Sequence, residues 1–159
     1  MRLKINPFEY KNTIETMLNS NLNAANIIRN ENISAITDVT GFGLLGHLLE
    51  VCRGSQLLAS IEDHLIPLLT DLDYYLEQEA IPGGSGRNFA SYGQDLPPLT
   101  ARQKHILCDP QTSGGLLVSV APEAKHEVEQ LLSQKQLPVH WIGSLEDKAD
   151  SLAPWVQVN

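Results

Sequence analysis

Asp38 stands at the mouth of a glycine-rich turn, in the run Thr37-Asp38-Val39-Thr40-Gly41-Phe42-Gly43-Leu44-Leu45-Gly46-His47. Glycine lets backbone approach a ligand closely, and the free N–H groups opening a helix attract anions. Asp38 would repel a bare phosphate. A divalent cation between carboxylate and phosphate removes that conflict, because Mg²⁺ is commonly held by one or two carboxylates plus phosphate oxygens. Asp38 is therefore the candidate metal ligand, and Thr37, Thr40, Gly41 and Gly43 are candidates to face phosphate. His47, in the first turns of the following helix, is either solvated or turned toward the same cleft.

Two other readings of this stretch stay open on the residues alone. Gly41, Gly43 and Gly46 match G-x-G-x-x-G, and Glu62 follows Gly41 by 21 residues, as in a dinucleotide-binding fingerprint. Alternatively the turn is purely structural and Asp38 caps the helix. Two further stretches carry similar chemistry. Gly83, Gly84 and Gly86 beside Arg87 and Asn88 could cradle an anion, or form a flexible linker, which the composition favours. Asp109, in Cys108-Asp109-Pro110-Gln111-Thr112-Ser113-Gly114-Gly115, reads first as a turn-forming carboxylate and second as a residue facing the phosphate cleft. An acid beside Cys108 disfavours its thiolate, so no nucleophile is expected there.

These residues need elements to position them. Ile33 to Thr37 reads as a strand entering the turn. Leu44, Leu45, Leu48, Leu49 and Cys52 share one face of the helix leaving it, which ends near Gly54. Cys52 is expected in the core. Upstream, Asn6-Pro7-Phe8-Glu9 is a helix start, and Tyr10, Ile14, Met17 and Leu18 are expected to pack inward. A second helix is expected from about Leu22 to Arg29, and residues 1–5 read as a tail or linker remnant before a single domain over 6–159. Downstream come a strand over Gln56 to Ile61, a helix capped by Thr70 and running to about Glu79, and a loop through Gly93. Then follow a short helix from Thr100 to Ile106, a strand from Leu116 to Val120, and a helix opened by Pro122 with Val128, Leu131 and Leu132 inward. Strands at Val139 to Ile142 and Trp155 to Val158 close the chain. This alternation predicts an α/β (α+β) domain, a mixed sheet covered by helices.

The 159 residues suit one domain with a sizeable core, and 42% apolar content is ordinary for a globular protein. A net charge of −8 argues against nucleic-acid binding. No stretch is apolar enough for a membrane span, no signal peptide is visible, and two cysteines give neither a disulfide framework nor metal-ligand spacing. The expectation is a reduced, cytoplasmic protein.

Three segments together become specific. The run from Thr37 to His47, the glycines 83–84 with Arg87-Asn88-Phe89-Ala90-Ser91-Tyr92-Gly93, and Asp109 to Leu117 resemble the selenophosphate synthetase (selenide, water dikinase) family, in that family's order. The resemblance covers nearly the whole chain but only the C-terminal half of such an enzyme. It implies the C-terminal domain of the aminoimidazole ribonucleotide synthetase-type fold, with partial ferredoxin-like likeness. It also implies ATP-dependent conversion of selenide to selenophosphate with release of AMP and orthophosphate, Mg²⁺ as cofactor, and a homodimeric full-length enzyme. The family's catalytic Cys or selenocysteine, its Lys and most metal-binding acids belong to the N-terminal half, so no catalytic residue is expected in this chain. Only the aspartate of the first motif carries over, as Asp38. The chain is expected to be inactive alone and to need an N-terminal half as partner. A stand-alone binding domain is the alternative, and a dinucleotide-binding oxidoreductase the less favoured one.

Overall fold

The computed structural model describes residues 6–21, 32–149 and 152–159. Within them lie α1 (Pro7–Leu18), β1 (Ile33–Asp38), α2 (Gly43–Ser55), β2 (Leu57–Ile61), α3 (Leu72–Glu77), α4 (Gly83–Tyr92), α5 (Ala101–Leu107), β3 (Leu116–Val120), α6 (Lys125–Gln134), β4 (Gly143–Asp147) and β5 (Val156–Val158). The mixed α/β class expected from the alternation holds. The strands divide into two sheets: an antiparallel β1–β3 pair, and a mixed sheet in the order β4-β2-β5. β2 is antiparallel to β4 and parallel to β5.

Each sheet has its own apolar cluster. Leu45, Leu48, Leu49 and Cys52 of α2 pack with Ala59 and Ile61 of β2, Val156 of β5, and Tyr92, Leu107 and Cys108 from the segments that follow. Val128 and Leu132 of α6 close over Ile33, Ile36, Val118 and Val120 of the β1–β3 pair, with Leu131 alongside. The inward faces read for α2 and α6 are thus correct, and Cys52 is fully buried. α2 touches both β2 and the β1–β3 pair, so it joins the two halves of the fold.

Four expectations are corrected. Residues 83–92 form a helix, not a loop or linker. Glycine disfavours helices by about 1 kcal/mol per residue. Tertiary packing overrides that here: Ser85 and Tyr92 are buried, and Phe89 leans on the core. The supposed inward face of α1 is outward, with Phe8 73% and Leu18 77% exposed and Tyr10, Ile14 and Met17 also exposed. α1 is attached by its polar side, where the Tyr75 hydroxyl of α3 donates to Glu9, the buried residue of that helix. No strand forms over residues 139–142; Val139 packs against α6, Trp141 donates to Glu129 of α6, and β4 begins at Gly143. Asp71, not Thr70, precedes α3, and its side chain makes no capping bond. The tail at 1–5 and the helix expected from Leu22 to Arg29 lie outside the described residues.

Candidate functional site

β1 delivers Asp38 as its last residue, opposite Leu116 of β3. Its side chain is exposed, and among the described residues its carboxylate has no hydrogen-bond or ion-pair partner. The loop that follows is tightly latched. Val39 N–H donates to the Gly115 carbonyl (2.9 Å), Gly114 N–H to the Val39 carbonyl (2.9 Å), and Gln111 N–H to the Thr40 carbonyl (3.0 Å). Sequence position hides this: the first and third motifs lie side by side because β1 and β3 pair. Gly114 is required there, since a Cβ would sit 2.9 Å from the Val39 carbonyl oxygen.

α4 supplies the fasteners. Asn88 Nδ2 donates both to the Gly41 carbonyl and to the Cys108 carbonyl, each at 2.9 Å. The Tyr92 hydroxyl donates to the Phe42 carbonyl at 2.6 Å. Ser85 Oγ donates to one oxygen of Asp109 (3.1 Å) and Gln111 Nε2 to the other (2.6 Å). Sequence alone does not single out Ser85, Tyr92 or Gln111; the only signal for Tyr92 and Gln111 is membership of the motifs, and for Ser85 its place among the glycines of the second. The side chains of Asn88, a candidate to face an anion, and of Asp109, read first as a turn-forming carboxylate, tie the motifs to one another.

Burial pushes the Asp109 carboxyl above its ordinary pKa, opposed by the hydrogen bonds from Ser85 and Gln111. The folded carboxyl therefore keeps its proton to higher pH than the unfolded one. Its contribution favours the fold most at low pH and falls as pH rises from the ordinary carboxylate value to the folded one. Carboxyl-carbon NMR of this chain is expected to place the Asp109 titration above that of an unperturbed aspartate; a midpoint at or below it would contradict the burial argument. Burial likewise raises the Cys108 thiol pKa, opposed by Tyr92 and Lys104, so the thiolate is disfavoured by desolvation and not by the neighbouring acid.

Among the predicted site residues, Thr37 is half-buried, with its hydroxyl 3.4 Å from the Asp38 carbonyl. Gly41 is exposed, with open space where a Cβ would stand. Arg87 lies on the outer side of α4, exposed, near Gly83 at its N-terminal end. His47 is buried, not solvated, and its Nε2 accepts the Thr40 N–H at 3.1 Å. Asp38 and Arg87 are thus the charged groups of the three motifs that face solvent. No cluster of three or more His, Cys, Asp or Glu suited to a metal occurs among the described residues. Asp38 fits one position in a Mg²⁺ shell completed by phosphates, water and other carboxylates, and does not make a protein cage by itself.

The geometry also rules against a dinucleotide fold. β1 and β2 flank α2 but lie in different sheets, so β1, α2 and β2 do not form a parallel βαβ unit. The open face of Gly43 is filled by the Cys108 backbone and that of Gly46 by Phe42 and Tyr92, leaving no approach for a pyrophosphate.

Residues 9–153 match the family described as AIR synthase related protein, C-terminal domain. The chain is similar to a "Selenide, water dikinase" of Shewanella sp. (strain MR-4), 52% identical over 133 residues, which is 84% of this chain and 38% of that protein. The protein of that name from Pseudomonas aeruginosa is 52% identical over 116 residues, 73% of this chain and 34% of the relative. That of Shewanella baltica (strain OS155) is 47% identical over 133 residues. The chain spans about 38% of the length of the Shewanella relatives.

Proposed function

The chain belongs to the AIR synthase related protein, C-terminal domain family, and from that premise we propose that it is the C-terminal domain of a selenophosphate synthetase. The observation that carries this is the 52% identity over 84% of the chain against only 38% of a selenide, water dikinase. In this reading the domain presents Asp38 to an ATP-bearing N-terminal half, and the enzyme converts selenide to selenophosphate with release of AMP and orthophosphate. Asp38 would supply one carboxylate to Mg²⁺, with the remaining acids coming from the other half. The ion, when bound, neutralises phosphate charge. The domain's own residues hold Asp38 at the end of β1 and keep the turn after it rigid. Arg87, exposed on α4, is the cationic candidate to face phosphate. The assembled enzyme is read as a cytoplasmic homodimer.

Phosphoryl transfer depends on several positioned groups acting together. One aspartate and a latched turn do not supply them. This chain alone is expected to show no ATP-to-AMP turnover and to gain it when joined to an N-terminal half bearing the catalytic Cys or selenocysteine and Lys. Tight nucleotide or protein binding by the chain alone, with no gain on joining, would favour the stand-alone binding domain instead.

A further inference from the structure

We infer that His47 is a positioning residue: its imidazole clamps the Thr40 backbone and thereby holds the turn from which Asp38 projects. This rests on the metal-ligand reading of Asp38 given above. His47 sits on α2, seven residues beyond Thr40, and is 7% exposed. Its Nε2 accepts the Thr40 N–H at 3.1 Å and lies 3.3 Å from the Thr40 hydroxyl. A nitrogen that accepts an N–H cannot carry its own proton, so the ring is the neutral Nδ1–H tautomer. Nδ1 is buried without a hydrogen-bond partner; the nearest acid is Glu50, with Oε2 at 3.5 Å. The tilted ring of Phe42 packs against the other side, centroids 5.8 Å apart.

An aliphatic side chain would fill this space without stranding Nδ1. Packing alone therefore does not account for an imidazole here, whereas the Thr40 contact does. Thr40 is two residues from Asp38, and its carbonyl receives both the Gln111 N–H and the Gly43 N–H. With its N–H held by His47, both polar backbone groups of Thr40 are fixed. The backbone just after Asp38 is thereby held in place, and a metal ligand gains from such preorganisation.

The test uses His47→Leu and His47→Gln, because the glutamine side-chain oxygen reaches about as far as Nε2 while leucine offers no acceptor. In the 159-residue chain, His47→Leu is expected to speed hydrogen exchange at the Thr40 amide about tenfold, with the amides of Leu49 and Ile61 unchanged. In the enzyme joined to an N-terminal half, the same variant should raise the Mg²⁺ concentration for half-maximal turnover about tenfold. His47→Gln should recover most of both. Unchanged Thr40 exchange in His47→Leu would overturn the clamp. Faster exchange with an unmoved Mg²⁺ dependence would overturn its role in positioning Asp38. If the unsubstituted joined enzyme has no turnover, the proposed function fails, while the exchange measurement still judges the clamp.

Discussion

Asp38→Asn is expected to lower ATP-to-AMP turnover by about 10²- to 10³-fold in the enzyme joined to its N-terminal half, with little change in the melting of this chain. The magnitude follows from removing one preorganised charge from a site where several must act together. A hard cation prefers a charged carboxylate oxygen to an amide oxygen, so the shape is kept and the ligand weakened. The stability expectation follows from the surroundings. The Asp38 carboxylate is exposed and has no partner among the described residues. The backbone pairing of Asp38 opposite Leu116 does not involve the side chain. An exposed substitution of this kind changes stability by roughly 0.5 kcal/mol or less, about 2 °C in a domain of this size. Turnover and melting temperature must be measured as a pair. Lost turnover with an intact melt fits a metal ligand. A collapsed melt would make Asp38 a structural turn residue, and near-normal turnover would remove it from the site.

The contrast between Asp38 and its neighbours shows what a sequence can and cannot give. The strand, glycine turn and helix from Ile33 to Ser55 were legible because their signals are local: β-branched residues, a glycine cluster, then apolar residues at helical spacing. The grouping of the three motifs was legible only through resemblance. Local chemistry does not say that Asn88 bridges the carbonyls of Gly41 and Cys108, since those partners are 47 and 20 residues away. An amide beside an arginine on a glycine-rich stretch reads as an anion cradle until its partners are known. α4 itself was missed for a related reason: three glycines lower intrinsic helix propensity, and the compensating contacts come from Pro110 and the core, not from adjacent residues. In α1 the error ran the other way. Helical spacing of Tyr10, Ile14 and Met17 was real, but Glu9, on another side, makes the attachment to α3. Periodicity identifies a face and does not identify what covers it.

Gly43→Ala should be the most destabilising of the single-methyl additions within the first motif. Gly43 has a φ of +71°, where an L side chain is strained by roughly 1–2 kcal/mol. A Cβ there would stand 2.7 Å from the Cys108 carbonyl carbon and 2.9 Å from the Asp109 carbonyl oxygen. Both are backbone atoms at the junction of α5 and the third motif, fixed by the Asn88 bridge to Cys108 and by the end of α5, so neither can step aside as a flexible side-chain tip would. Relieving such overpacking costs about 1–3 kcal/mol more. The sum, about 2–5 kcal/mol, is a large share of the ~5–15 kcal/mol that holds a typical domain together. At about 2–4 °C per kcal/mol, the melting temperature should fall by roughly 5–20 °C. Gly41→Ala is the matched control two residues away. Gly41 has no positive φ and nothing within 4 Å of an added Cβ, so its melt should stay within a few degrees of the parent. If the two substitutions melt alike, the close seating of the first motif on the Cys108–Asp109 backbone is wrong. With it would go the argument that Asp38 is presented from a turn held by the other two motifs.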